Sequence, residues 1–305
     1  MNIDQSKLNF TQLNVLANQI VEGFMAGIHK SPFHGYSAEF NEHKLYNKGD
    51  SVKFIDWKLY AKTDKLYIKK YEDETNLRCH FILDCSSSMH YPKVDKFDLE
   101  NPSKFTFSSL SILALINLLQ RQKDAFGLSM FSDKLDFYIS EKSSHLQLQI
   151  IVEQLIKEFS SKTESKTTNT IDNLHYIAEN LKRRSLVFLF TDMFQNEVSN
   201  DKLFEALRHL KYNKHQVVFF HTTVRSKELE FNFSELPRRF FDIETQQKID
   251  LYPEQVKEEY KKISLKFKQG LIDKCRQYKI KYIDADINAG FEKILSTFLL
   301  EKQNF

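Results

Sequence analysis

The stretch Cys79-His80-Phe81-Ile82-Leu83 is followed directly by Asp84-Cys85-Ser86-Ser87-Ser88. Its first five residues are typical of a short buried β-strand. In an open α/β sheet, ligands bind just beyond the carboxyl ends of the strands. The carboxylate of Asp84 and the hydroxyls of Ser86 and Ser88 therefore offer three hard oxygens at such an end, which suits a divalent cation such as Mg²⁺.

From residue 78 onward, apolar runs predict strands that alternate with amphipathic helices. The predicted strands are 78–83, 126–131, 135–139, 186–191, 216–222 and 280–284, and the predicted helices are 103–122, 144–160, 171–183, 201–212, 254–278 and 289–301. Strands separated by single helices imply crossover connections and a mostly parallel sheet. The link 132–134 is too short for a crossover, so it predicts one antiparallel hairpin at an edge. The helix 103–122 is apolar nearly all round between Leu110 and Leu119 and is predicted to be buried against the sheet.

The amino-terminal part has a different character. Residues 8–28 show apolar positions at helical spacing, whereas residues 31–77 are rich in aromatics and lysines and predict one strand near 66–71 in otherwise irregular chain. We therefore predict an N-terminal helix and signature segment over 1–77 and an α/β domain over 78–305. An insertion over 223–253 is expected to hold a small hairpin around Thr245-Gln246. Trp57 is expected to be a core anchor.

The composition excludes several classes of protein. The 305 residues include 44 Lys+Arg and 41 Asp+Glu, and this net charge of +3 argues against a dedicated nucleic-acid surface. The three cysteines form no Cys-x-x-Cys, so neither a zinc ribbon nor a disulfide scaffold is expected. We expect a cytoplasmic location. We see no signal peptide and no apolar stretch long enough to span a membrane, so direct membrane insertion is not expected.

Catalytic motifs are also missing from the sequence. We find no Gly-x-Ser-x-Gly, no phosphate-binding Gly-rich loop and no His-Glu-x-x-His, so no catalytic residue is predicted and a non-catalytic protein is favoured. The enzymatic alternative is a Mg²⁺-dependent phosphohydrolase that uses Asp84 as nucleophile or ligand. Ser86 stands where the commonest design of that kind would carry an acid–base carboxylate.

Two more segments complete a predicted metal site. Asp192 follows the strand 186–191, and Thr167-Thr168-Asn169-Thr170 precedes the helix 171–183. The predicted ligands share one edge of the sheet and are Asp84, Ser86, Ser88, Thr168 and Asp192. A cation bound by this set should recruit one more anionic oxygen ligand from outside the set. The alternative is that these residues are ordinary turn and cap residues.

The same five residues resemble the metal-ion-dependent adhesion site of von Willebrand factor A domains. Segments elsewhere in the chain resemble the signature of the bacterial DUF58 family, and they include Ser31-Pro32-Phe33-His34-Gly35, Ile55-Asp56-Trp57-Lys58, Tyr71-Glu72-Asp73-Glu74, Lys182-Arg183-Arg184-Ser185-Leu186-Val187 and Phe241-Asp242-Ile243-Glu244-Thr245. The resemblance runs from about residue 12 to residue 300. It implies a Rossmann-like von Willebrand A-type α/β fold with a family-specific N-terminal element.

The resemblance also implies a function. Domains of this kind hold Mg²⁺, or Mn²⁺ or Ca²⁺, and bind a partner protein whose Asp or Glu completes the coordination. The partner implied for this family is a MoxR-type AAA+ ATPase, in a chaperone-like or assembly role. Counting back from Lys182 favours Thr168 over Thr170 as the matched threonine. Acidic residues of the loop 90–102 could instead fill the open position from within the chain, namely Asp95, Asp98 or Glu100.

Overall fold

The computed structural model describes residues 3–4, 9–30, 43–45, 57–63, 65–69, 77–93, 96–97, 101–160, 170–192, 197–234, 236–241 and 248–303. The chain divides into two compact units. One unit comprises Met1–Phe24 together with Leu77–Phe305, and the other comprises Met25–Asn76. The predicted domain bounds stay predictions.

The described chain is built from β-strands, α-helices and two short turns of other helix types. The strands are β1 (Ile3–Asp4), β2 (His43–Leu45), β3 (Tyr67–Lys69), β4 (Arg78–Asp84), β5 (Lys96–Phe97), β6 (Ala125–Phe131), β7 (Leu135–Lys142), β8 (Leu186–Thr191), β9 (Gln216–Thr223), β10 (Arg238–Phe241), β11 (Lys248–Leu251) and β12 (Lys281–Asp286). The helices are α1 (Phe10–Lys30), α2 (Trp57–Thr63), α3 (Lys104–Arg121), α4 (His145–Ser160), α5 (Thr170–Asn180), α6 (Glu197–Tyr212), α7 (Pro253–Gln277) and α8 (Glu292–Gln303). A 3₁₀ turn covers Ser87–His90, and a π-helical turn covers Arg225–Leu229.

The central feature is a six-stranded sheet with the order β12-β9-β8-β4-β6-β7. All neighbours are parallel except β6 and β7, which pair antiparallel at the edge. Numbered by their order in the chain, these strands follow the 3-2-1-4-5-6 arrangement of a doubly wound sheet. The predicted α/β class, the mostly parallel sheet and the antiparallel edge strand are confirmed.

Side chains alternate between the two faces of the sheet because successive residues of a strand point to opposite sides. In β8, Val187 and Leu189 pack into one cluster with α5, α6 and α7. Phe188 faces the other side, where its ring lies 5.7 Å from Phe81 and 6.0 Å from Phe298 of α8. Helices therefore cover both faces, and β8 lies in the middle of the core.

Helix α3 is deeply buried beside the sheet. Sixteen of its residues, from Lys104 to Leu119, are buried. Ser103 caps its start because the serine Oγ accepts a hydrogen bond from the amide of Thr106 at 3.1 Å. The prediction of a buried helix here is confirmed, and the burial extends to a charged residue in its first turn.

Two expectations for the smaller elements are wrong and one is confirmed. The indole of Trp57 is 63% exposed and lies edge-on to the ring of Tyr60, so Trp57 is not a core anchor. It begins α2, in a stretch expected to be irregular. The small hairpin is confirmed as β10 paired antiparallel with β11, although its turn around Thr245 lies outside the described residues. Among the described helices, none is long and apolar enough to cross a membrane.

Candidate metal centre

Two aspartates meet at the point where the connections of the sheet change direction. Asp84 is the last residue of β4, and Asp192 directly follows β8, the parallel neighbour of β4. The strand that follows β4 in the sheet is β6, which lies on one side of β4, whereas the strand that follows β8 is β9, which lies in the opposite direction along the sheet. Such a switch point opens a crevice at the carboxyl ends of the strands, which is where doubly wound sheets bind ligands.

Asp84 is held by fixed donors on both carboxylate oxygens. The amide of Ser86 donates to Oδ1 at 2.9 Å, and the hydroxyl of Thr191 donates to Oδ2 at 2.6 Å. Only 1% of Asp84 is exposed. The carboxylate is therefore oriented by the backbone turn after β4 and by the last residue of β8.

The two predicted serines bridge the two aspartates. The Oγ atoms of Ser86 and Ser88 lie 3.0 Å apart. Ser86 also makes a side-chain hydrogen bond to Asp84, and Ser88 makes one to Asp192. Ser86 is fully buried whereas Ser88 is partly exposed, so the group opens to solvent on the side of Ser88.

The electrostatics of the pair are unequal. Burial, followed by the charge of Asp192, raises the pKa of Asp84 to about 7, although the hydrogen bonds from Thr191 and Ser86 act against this rise. Burial also pushes the pKa of Asp192 upward, but the charge and hydrogen bond of Lys104 outweigh it and leave that pKa below its ordinary value. A second carboxylate so close to Asp84 creates negative charge that a bound cation would relieve.

Lys104 was not anticipated in this site. It is 1% exposed, and its Nζ donates to Asp192 Oδ2 and to Glu228 Oε1, each at 2.6 Å. Burial lowers the pKa of Lys104, but these two carboxylates reverse that effect and raise it overall. Glu228 lies in the π-helical turn and accepts from the amide of Val224 through Oε2 at 2.6 Å. Among the described residues, the centre therefore holds three carboxylates and one ammonium group.

One sequence signal could have pointed to Lys104. The lysine begins a helix that is otherwise uncharged up to Gln120, directly after its cap residue, where the positive end of the helix dipole disfavours a cation. A buried lysine at that position needs anionic partners to offset both effects. Its partners lie 88 and 124 residues further along the chain, so no local pattern reveals them.

His221 supports the backbone beside Asp192. Its Nε2 lies 3.0 Å from the carbonyl oxygen of Asp192, and its Nδ1 lies 2.8 Å from the hydroxyl of Tyr282. Burial lowers the pKa of His221 to about 4, so the ring is neutral at pH 7. A neutral ring can donate from Nε2 to the carbonyl and accept the tyrosine proton at Nδ1.

The structure thus brings together four of the five predicted ligands. Thr168 lies outside the described residues, as do Asp95, Asp98 and Glu100, while Thr170 begins α5. The oxygens of Asp84, Ser86, Ser88 and Asp192 form a hard donor set, which fits Mg²⁺, Mn²⁺ or Ca²⁺. The described residues contain no group of three or more His, Cys, Asp or Glu side chains suited to a metal, and the predicted set, with two carboxylates, does not depend on one.

Several solved structures are similar to this chain. They include the conserved hypothetical protein BatB from Bacteroides thetaiotaomicron, with 16% identity and a TM-score of 0.43 over 75% of this chain and 100% of that one. An aerotolerance-related membrane protein from Bacteroides fragilis NCTC 9343 has 16% identity and a TM-score of 0.41, over 72% and 97% of the two chains. The SpRpn10 VWA domain has 12% identity and a TM-score of 0.33, over 48% and 75%.

No curated protein matches the chain. A match to a described family covers most of it, however. The family described as "Protein of unknown function DUF58" matches residues 42–267, which is more than half of the sequence. The chain therefore belongs to the DUF58 family.

Proposed function

We propose that this chain is a non-catalytic protein-binding module whose contact with its partner depends on a divalent metal ion. One observation carries the proposal: Asp84 and Asp192 lie at the carboxyl ends of neighbouring parallel strands, at the switch point, and are linked through the hydroxyls of Ser86 and Ser88. This is the place where a doubly wound sheet binds ligands, and the oxygens present there are those that Mg²⁺ prefers.

The charges of the centre support a role for a cation. Lys104 neutralises one of the three described carboxylates, so the described residues of the centre carry a net charge of about −2 when Asp84, Asp192 and Glu228 are all ionised. In this proposal Asp84, Ser86, Ser88 and Asp192 hold the ion, with Thr168 as the fifth predicted ligand. The ion would supply a positive charge on the side of Ser88 that a partner's carboxylate could reach.

The partner in this proposal is a MoxR-type AAA+ ATPase that contributes an Asp or Glu, in a chaperone-like or assembly role. That assignment follows from the family resemblance and not from a residue of this chain. A cytoplasmic location, the lack of a nucleic-acid partner and the lack of direct membrane insertion stay predictions.

A Mg²⁺-dependent phosphohydrolase that uses Asp84 is the alternative. The surroundings of Asp84 support it less well, because the residue is 1% exposed and both of its oxygens accept hydrogen bonds from the protein. A nucleophile has to approach a phosphorus atom in line, whereas a metal ligand needs only a fixed lone pair. Turnover of p-nitrophenyl phosphate that requires Mg²⁺ and disappears in Asp84→Asn would favour the enzyme.

Calorimetric titration of Mg²⁺ and Mn²⁺ into the metal-stripped chain tests the site. We expect binding by the wild type and none by Asp84→Ala. The matched control is Asp286→Ala, because Asp286 also ends a parallel strand of this sheet but accepts hydrogen bonds from the amides of Arg225 and Asn288 as a turn cap. Loss of binding in Asp84→Ala alone supports the metal site, while binding retained by Asp84→Ala contradicts it.

A second experiment tests the partner. The chain is immobilised and exposed to a MoxR-type ATPase with Mg²⁺ or with a chelator, using the wild type, Asp84→Ala and Asp286→Ala. We expect capture only with Mg²⁺, and only by the wild type and Asp286→Ala. Capture that survives both the chelator and Asp84→Ala would mean that the metal does not bridge the two proteins.

A further inference from the structure

A basic cleft lies at the opposite edge of the sheet from the metal centre. It has a volume of about 670 Å³ and is formed where the chain enters β8, β9 and β12 at their amino ends. The cationic residues lining it are Arg184, Lys211, Lys214, Lys279 and Lys281. A volume of this size is within the range of small-molecule binding sites.

The charge of the cleft is not balanced. Its lining contains one carboxylate, Glu301, which pairs with Lys281 at 2.6 Å. In the described part of the chain, the other four cations have no carboxylate within ion-pair distance. The pKa of Lys211 reflects this excess of positive charge. Burial, together with the charge of Lys279, lowers that pKa despite the opposing effect of Glu301. An anion in the cleft would relieve this repulsion.

His215 provides a second and independent observation. It lines the cleft and is 2% exposed, and its Nδ1 lies 3.0 Å from the amide nitrogen of Ser185, which donates to it. An Nδ1 that accepts a hydrogen bond carries no hydrogen of its own, so Nε2 carries the hydrogen of the neutral ring. Nε2 is buried and has no hydrogen-bond partner among the described residues. A buried N–H donor without a partner is costly, and an anionic oxygen would satisfy it.

The backbone of the cleft is strained at three of its basic residues. Arg184, Lys214 and Lys279 have φ values of 58°, 61° and 54°, in the left-handed region where glycine or asparagine is favoured. Lys123 has the same conformation, with φ 58°, but it precedes β6, two strands away from β8. The turn geometry alone therefore does not define the cleft; the five cationic residues that line it together with His215 do.

We propose that this cleft binds the diphosphate or triphosphate group of a small phosphorylated molecule. The planar guanidinium of Arg184 can hold two phosphate oxygens at once, and the lysines add point charges around them. His215 also lines the cleft, and its unpartnered Nε2–H would donate one further hydrogen bond to a phosphate oxygen that reaches it. This site is separate from the proposed metal centre and does not depend on it.

Glycine variants at the strained turns separate binding from stability. In Lys214→Gly with Lys279→Gly, two cations of the cleft are removed while two residues with positive φ are replaced by the residue that tolerates it best. We expect the double variant to bind inorganic pyrophosphate at least about tenfold more weakly and to melt no lower than the wild type. The matched control is Lys123→Gly, which makes the same change outside the cleft and should keep the wild-type affinity.

Calorimetric titration of the full chain with pyrophosphate, ADP, adenosine and an oligoglutamate peptide, without divalent ions, gives the deciding result. Binding of pyrophosphate and ADP with equal affinity, and none of adenosine, supports recognition of the phosphates alone. Tighter binding of ADP than of pyrophosphate supports a nucleotide as the ligand. The proposal is overturned if neither phosphate compound binds, if only an oligoglutamate peptide binds, or if the double variant and Lys123→Gly bind pyrophosphate equally well.

Nitrogen-15 spectra of the imidazole rings provide a test that does not require a variant. The Nε2 signal of His215 should shift when pyrophosphate is added. The control is His80, whose ring nitrogens are hydrogen-bonded to Glu141 and Ser129 at 2.7 and 2.6 Å inside the core. A His215 signal that does not move at saturating pyrophosphate would contradict the role given to this residue.

Discussion

Replacement of Lys104 by methionine is the sharpest test of how the metal centre is built. Methionine keeps the length and the apolar stem of the side chain but removes the ammonium that contacts Asp192 and Glu228, each at 2.6 Å. The side chains of Lys104 and Asp192 are 1% and 3% exposed, so water does not replace the lost partner. Breaking a buried ion pair by removing one member costs about 3–5 kcal/mol, and we expect a loss of that size.

Urea unfolding followed by circular dichroism measures this loss. The matched control is Arg121→Gln, because the Arg121–Glu22 pair has the same 2.6 Å separation but side chains that are 48% and 65% exposed. Such a pair contributes less than about 1 kcal/mol, so the control should unfold almost as the wild type does. A Lys104→Met variant that loses no more stability than Arg121→Gln would refute the view that Lys104 neutralises the centre.

The same variant also reports on the metal. Without the ammonium group, Asp192 and Glu228 face each other and Asp84 with no positive charge between them, so a divalent cation should stabilise the variant more than it stabilises the wild type. At a Mg²⁺ concentration about 100 times its Kd, binding to the folded state alone would contribute about 2.7 kcal/mol. Unfolding curves of Lys104→Met that are identical with and without Mg²⁺ would argue against an ion at this position.

Three further predictions concern the sheet and helix that hold the centre. Gly127→Ala should destabilise the fold by about 1–3 kcal/mol in urea unfolding, because the new Cβ would lie 2.6 Å from the carbonyl oxygen of Ile139 and 2.8 Å from His80 Nδ1. Burial alone would raise the pKa of Glu141, but the hydrogen bond and charge of His80 hold it below 4.5, so the wild type should lose stability as the pH falls below 4.5. Glu141→Gln should lose less over that range in acid unfolding curves. Ser103→Ala should lower the stability by about 1 kcal/mol, measured in the same way, because α3 loses its cap.

The framework of the fold could be predicted from the sequence because it depends on local patterns. The strand around Phe81 and the strand around Phe188 are short apolar runs; the first ends in Asp84, and Asp192 directly follows the second. Parallel strands bring their carboxyl ends to one edge of a sheet, so the sequence predicts Asp84 and Asp192 at the same edge, and the structure adds that β4 and β8 are neighbours. The short link before β7 identified the antiparallel edge strand for an equally local reason.

The remaining parts depend on long-range packing and could not be predicted in this way. Lys104 resembles an ordinary polar residue at a helix start, and its role becomes visible only when Glu228 arrives from a segment 124 residues away. The prediction for Trp57 was wrong in the opposite direction: the size of the aromatic side chain suggested a buried position, whereas the residue is 63% exposed. The unpaired nitrogen of His215 is likewise invisible in the sequence, since it depends on which ring atom accepts the amide of Ser185.

The two proposed sites should act independently because they lie at opposite ends of the same strands, and the length of those strands keeps them far apart. Arg184 and Asp192 lie on either side of β8, whose six residues span about 20 Å at roughly 3.3 Å per residue. Charges at that distance are largely screened, since the Debye length is about 8 Å at physiological salt. The Lys214→Gly and Lys279→Gly double variant should therefore bind Mg²⁺ within about twofold of the wild-type affinity. A shift of about tenfold or more, equivalent to about 1.4 kcal/mol, would exceed what screened charges transmit and would require a movement of β8 and β9 that couples the two edges.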